Sequence, residues 1–408
     1  MKLFVPFLCG LICAVTLAPL VRAQEKKDFD ALLKDLDSTD REVRLTAVTA
    51  LADLGPDAGK AAKALAEFLT AKDADLQLNA AIALGKIGKE AVAPVAKLLS
   101  RKETDTRFYA LAALGWIGPA AKDTAPQVLQ ALGDKDDGIR AKAAFTLGKI
   151  GPDPKAAIKP LLKMLTEGNA DIRRSAGEAL GQFKSAAVPA LVEALKDDLV
   201  PMRIEAAMAL GQIGPDAKAA VLALKYAATD KSEPLAEASI LALVKIRADA
   251  LPTMREILAD EDTKLRERTL VNLEKAGAPA APFLADALTA KQVEVRRHAA
   301  RSIVALNLKE ETVIPGLTAA LRDQDKEVRK HSMQALLRVA IGARQAIPNL
   351  LDVLKDKDVE QRTLALTVLR EIPEESDAIV RAVTPLLKDA DENVRRLAKE
   401  VLAFQGKQ

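Results

Sequence analysis

Residues 136–152 read DDGIRAKAAFTLGKIGP. Asp136 stands four residues before Arg140, where a short acidic side chain caps a helix start. Ile139, Ala143 and Leu147 follow at steps of four and make one apolar stripe on an α-helix. Gly151 suits the left-handed conformation that ends a helix, and Pro152 blocks its continuation. The stretch reads as one capped, one-sided, terminated helix.

The same sentence is written along the chain. The Arg140 column reads Arg44, Gln77, Arg107, Arg140, Arg173, Arg203, Ala236, Arg266, Arg296, Arg329, Arg362, Arg395, at spacings of 33 or 30 residues. Three residues later every unit carries a small residue, from Ala47 to Ala398; seven later, a large aliphatic one, from Leu51 to Leu402. Eleven later stand Gly55, Gly88, Gly118, Gly151, Gly214, Gly277 and Gly406, with Asn307 at an equivalent site. Asp40, Asp73, Asp136, Asp262, Asp325, Asp358 and Asp391 precede the column by four, as caps. Between these helices lies a shorter one, marked by Pro94, Pro126, Pro160, Pro189, Pro282, Pro315 and Pro348. About twelve two-helix units fill residues 28–404, with no strand-period segment. One such unit cannot bury its stripe alone, so stacking is expected to give an all-α α-solenoid.

The pattern resembles HEAT repeats, in the short form of the PBS-lyase HEAT-like family. The residues that carry the resemblance are Val328-Arg329, Leu147-Gly148-Lys149-Ile150-Gly151-Pro152 and the proline-led first helices. The resemblance implies that the second helices line a concave face. It also implies an Asp/Arg ladder between units through the ten column arginines, interrupted at Gln77 and Ala236 in units 2 and 7. Ankyrin repeats share the period, but their Thr-Pro-Leu-His signature is absent.

Composition agrees. Of 408 residues, 49% are hydrophobic but only 3% aromatic. A core of Ala, Leu, Val and Ile suits thin helical layers. Sixty basic residues nearly cancel 57 acidic ones, which argues against wholesale phosphate neutralisation. Residues 1–23 read separately: Lys2, an apolar run, then Val21-Arg22-Ala23 suggest a signal peptide cleaved before Gln24. Residues 24–408 are then one solenoid, more divergent from about 231, exported to the periplasm or beyond and expected to be monomeric. A retained anchor is the alternative. Both cysteines, Cys9 and Cys13, fall in the leader, so the remainder has no thiol chemistry.

Catalytic material is sparse. Among the family's enzymes, deoxyhypusine hydroxylase needs His-Glu pairs, but His298 and His331 are followed by Ala299 and Ser332. Carboxylate pairs such as Asp136-Asp137 sit where capping and the helix dipole explain them. The recurring glycines follow no strand, so they do not read as phosphate loops. No enzyme activity, metal or cofactor is expected; a substrate-chaperoning role like that of bilin lyases, or a structural envelope role, is the alternative.

Residues one, two, five and nine after the column position face away from the stripe. There, units 3 and 4 collect Phe108, Tyr109, Trp116 and Phe145, with Lys86, Lys142 and Lys149 nearby. These rings either fill space between layers or anchor a partner's side chains beside cations. Units 8–10 place Arg268, Lys275, Arg297, His298, Arg301, Lys330, His331 and Arg338 on one strip. It is either a solvated charged face or a surface for an anionic partner. The expected partners are proteins or peptides, an acidic protein or an anionic polysaccharide suiting the strip. With export, nucleic acid is not an expected partner, and no second apolar run spans a membrane. Eight after the column, Gly85, Gly115, Gly148, Gly181 and Gly211 give way to larger residues from Val244 onward. Tighter layers are therefore expected before residue 215, with changed curvature near units 7 and 8.

Overall fold

A computed structural model of the chain describes residues 28–166, 169–373 and 376–405. The signal segment 1–23 and Gly406 lie outside the described residues. Twelve pairs of α-helices follow one another, from Phe29–Leu36 with Arg41–Leu54 to Asp377–Val383 with Glu392–Gln405, and no strand occurs among the described residues. The second helix of a pair mostly runs 13 or 14 residues, as in Ala74–Ile87, Thr104–Ile117, Asp137–Ile150 and Val200–Ile213. The solenoid expectation holds.

The periodic columns do the physical work assigned to them. Leu51, Leu84, Leu114, Leu147, Leu180, Leu210, Leu243 and Leu273 are all fully buried in one core that runs from Leu32 to Val401. The capping aspartates accept from the first backbone N–H groups: Asp73 from Asp75 and Leu76, Asp136 from Ile139, Asp262 from Lys264 and Leu265. Glycines 55, 88, 118, 151, 214 and 277 all have positive φ at the helix ends. Units 5 and 7 reach that conformation with Lys184 (φ 50°) and Arg247 (φ 70°) instead.

The alternation of 33- and 30-residue units has a local cause. Units joined by Gly55–Ala61, Gly118–Thr124 or Gly214–Ala220 use a seven-residue 3-10 turn, whereas Lys89–Ala91, Lys184–Ala187 and Arg247–Ala250 use three or four residues. At these junctions the turn absorbs the difference; the 33-residue step from Arg140 to Arg173 instead uses a longer first helix, Pro154–Thr166, and that from Arg296 to Arg329 carries only the three-residue turn Glu311–Val313.

The second helices of neighbouring units pack against one another more extensively than the first helices do through most of the stack, in keeping with the inner face that the resemblance implies for them. Glycine permits that approach. A Cβ at Gly148 would stand 3.0 Å from the Ala179 Cα, one at Gly211 3.1 Å from the Ala242 Cα, and one at Gly85 2.6 Å from the Trp116 Cβ. Gly115 is looser, its nearest neighbour being the Thr146 hydroxyl at 3.4 Å. Beyond Glu233–Ile246 the inner helices part, most of all between Thr263–Ala276 and Val293–Ala305. The tighter packing expected before residue 215 is therefore present, and it loosens near units 7 and 8.

Candidate interaction surface

The arginine column builds the ladder, with corrections. Most of the arginines donate Nη1 to carbonyls of their own turn, as Arg107 does to Arg101 (3.0 Å) and Lys102 (2.8 Å); Arg203 instead gives Nη1 to Asp230. The rest of the guanidinium grips an aspartate of the next unit: Arg107–Asp134 (2.9 Å), Arg203–Asp230 (2.7 Å), Arg296–Asp323 (2.6 Å), Arg329–Asp356 (2.8 Å) and Arg362–Asp389 (2.8 Å). That acid lies two residues before the cap, in an Asp-x-Asp turn (Asp-x-Ser at Asp230) in which it also accepts the cap residue's N–H, as Asp323 does from Asp325. Arg266 reaches Glu294 instead. Arg44 has no forward rung, because Ala71 occupies the matching position; Arg140 pairs with Asp137 of its own helix, and Arg395 holds its own turn. At unit 2, Gln77 is buried and donates to Leu69 O (3.1 Å).

At unit 7, where Ala236 leaves the ladder empty, Arg268 of unit 8 reaches back to Ala228 O (2.7 Å) and Asp230 O (3.2 Å). It replaces the missing arginine and is not a free surface cation.

The rest of the basic strip is largely neutralised, which corrects its reading as an open cationic surface. Lys275 pairs with Glu237 (3.1 Å), Lys330 with Glu360 (2.6 Å), and Arg297 with both oxygens of Asp325. Arg338 donates to Val304 O (2.6 Å) and Asn307 (3.2 Å), and His331 Nδ1 to Glu327 O (2.7 Å). His298 lies 3.5 Å from Glu274, but burial pushes its pKa below the usual histidine value. Arg301 is exposed and forms no ion pair among the described residues. The cause is the repeat itself: a cation on one inner helix faces the acidic first turn of the next.

Units 3 and 4 differ. Phe108 and Tyr109 meet edge to face at 5.5 Å and rest half-buried against the core, so in part they fill space between layers. Lys142 Nζ lies 4.7 Å from the Phe108 ring centre and 5.3 Å from that of Phe145; Lys149 Nζ lies 5.3 Å from the Phe145 ring. Burial alone holds the Lys142 pKa below the ordinary lysine value. Burial first, then Asp105 and Asp75, raise that of Tyr109, which keeps the phenol protonated. Trp116 is 46% exposed, its stem seated on Gly85. Lys86 does not join this group: it turns to Asp53 of unit 1 (3.2 Å).

Two inner-face openings had no clear signal in the sequence beyond the end of the glycine column. One, of about 830 Å³, lies between units 7 and 8, lined by Lys231, Glu237, Lys264, Arg268, Val271 and Asn272. The other, of about 290 Å³, is an apolar furrow between units 6 and 7 around Ile204, Met208 and Leu241.

The HEAT-repeat pattern matches residues 29–107, 92–181, 158–244 and 281–370, most of the described chain. The chain belongs to the HEAT-repeat family. No curated protein matches this HEAT chain. Among solved structures, an engineered protein is 23% identical, with 93% of this chain and 99% of that one covered at a TM-score of 0.28. Kap121p bound to Nup53p is 12% identical over 92% of this chain and 48% of that one, TM-score 0.49. A Kap95p–RanGDP structure is 14% identical over 92% and 60%, TM-score 0.45. The chain thus spans about half the length of Kap121p. Among the described residues no helix is long and apolar enough to cross a membrane, and no group of three or more His, Cys, Asp or Glu residues is placed to hold a metal.

Proposed function

We propose that this HEAT solenoid is a non-catalytic scaffold that holds a protein or peptide partner on its inner face, with units 3 and 4 as the principal contact. One observation carries the reading: Trp116, nearly half exposed, stands beside cation-flanked rings on the inner face. Large rings exposed next to cations are the side chains that dominate protein interfaces. The paired cations of units 8–10 favour a protein partner over an anionic polysaccharide, which needs many free charges. The protonated phenol of Tyr109 suits a ring contact better than proton transfer. Export, a monomeric state and kinship with the PBS-lyase HEAT-like subfamily belong to this proposal; they rest on residues 1–23 and the repeat phrase.

The test is a capture experiment from an extracytoplasmic fraction with the wild-type chain, Trp116→Ala, and Arg297→Glu combined with Arg301→Glu. Trp116→Ala is expected to lose partners that the double variant retains. Retention of every partner by Trp116→Ala would overturn the assignment.

A further inference from the structure

Most inner-face cations of this molecule are spoken for. Lys86, Lys275, Lys330, Arg297 and Arg370 each sit on a carboxylate of their own or a neighbouring unit. Lys142 is an exception of a particular kind. Its side chain is half-buried on the inner helix of unit 4, and the ammonium touches only the faces of Phe108 and Phe145. It forms no ion pair or hydrogen bond from Nζ among the described residues. Lys149, two turns along the same helix, is exposed, equally unpaired and also over the Phe145 ring. The Phe145 ring in turn covers Gly115, its Cε1 3.7 Å from where a Cβ would stand, one residue before Trp116 in the chain.

An ammonium half withdrawn from water keeps a desolvation cost that ring faces only partly offset. A half-withdrawn ammonium and an exposed one on the same ring offer what a carboxylate with an apolar neighbour would satisfy: a charge-assisted hydrogen bond from Lys142 or Lys149, and a ring surface beside it. Building on the inner-face scaffold reading, we infer that the Lys142–Phe145–Lys149 site binds the carboxylate side chain of an acidic, apolar-rich peptide segment. A polysulfated chain would need a longer row of free cations. The row does not continue: at the position of Lys142 the next units carry Ser175 and Glu205, and at that of Lys149 they carry Gln182 and Gln212.

Trp116 is the only tryptophan, so its emission reports on this site in the full-length protein. The titrants are a short peptide alternating glutamate with leucine, the same peptide with glutamine for glutamate, and dextran sulfate. The glutamate peptide is expected to shift Trp116 emission saturably and at least about tenfold more tightly than the glutamine peptide, a gap that shrinks with salt. Lys142→Met keeps the apolar stem and should abolish that preference with an unchanged melting temperature. Lys142→Arg should keep it. Equal binding of both peptides, tighter binding of dextran sulfate, or a Lys142→Met variant that binds normally would overturn the inference. So would a Lys142→Met variant that melts early, since the ammonium would then serve to hold the two rings together. A failure here with partners still lost by Trp116→Ala would spare the scaffold and remove only the acidic ligand.

Discussion

At the scale of single residues, the glycine column is two populations. Gly85 makes room for Trp116, whose Cβ would stand only 2.6 Å from any Cβ added there, whereas Gly115 faces its neighbours at ordinary contact. Alanine gains about 1 kcal/mol of helix propensity at either position. At Gly85 overpacking of about 1–3 kcal/mol outweighs it. Gly85→Ala is therefore expected to lower stability and Gly115→Ala to leave it equal or higher, as urea unfolding will register. The sequence made the column visible but not this distinction, which depends on what the next unit presents. The same holds for Lys184 and Arg247, whose positive φ is legible only by counting from the glycines of other units.

A second residue-scale expectation concerns acid. Asp325 accepts Arg297 from the preceding unit and caps its own helix through Glu327 and Val328, and the Arg297 guanidinium first of all holds its pKa down to about 2. A folded pKa below the unfolded value of about 4 gives stability that is complete above that value and lost as pH falls through the folded one. Urea unfolding across this range should show a fall between about pH 4 and 2. Arg297→Gln should start from lower stability at neutral pH and fall less steeply.

At the scale of the helix and its turn, the ladder shows both the reach and the limit of the sequence. The arginine column and the capping aspartates were legible because each repeats in the chain. The true rung acids carry a signal too: Asp134, Asp323, Asp356 and Asp389 open an Asp-x-Asp turn and Asp230 an Asp-x-Ser one, visible once the fold shows its use. Arg268 could not be read this way, since nothing in one strand of text says that a side chain will fold back to serve the unit before it. The expected consequence is that Arg268→Met, which strips carbonyl partners from the Ala228–Asp230 turn, destabilises by about 1–3 kcal/mol. Arg301→Met, at an exposed unpaired site, should stay within about 0.5 kcal/mol by the same unfolding measurement. The basic strip failed as a surface for a related reason: composition along one helix face omits the acidic turn that the neighbouring unit lays against it.

At the scale of the whole molecule, twelve near-identical layers make a curved stack whose inner face is mostly self-satisfied, charge against charge. Departures from that rule mark where something else can bind. The aromatic group of units 3 and 4 is the strongest departure, combining exposed ring surface with unpaired ammonium groups. Its scarcity of precedent along the chain, in a protein only 3% aromatic, is what made it stand out in the sequence. Of the two openings, the one between units 7 and 8 lies beyond the last close glycine contact, Gly211 on Ala242, whereas the furrow between units 6 and 7 borders that contact. The most direct test of the account is a hydrogen-exchange footprint of the protein with a captured partner bound. Slowed exchange confined to the inner helices Thr104–Ile117 and Asp137–Ile150 is the predicted result. A footprint on the outer helices, or on the inner helices of units 8–10 alone, would contradict it.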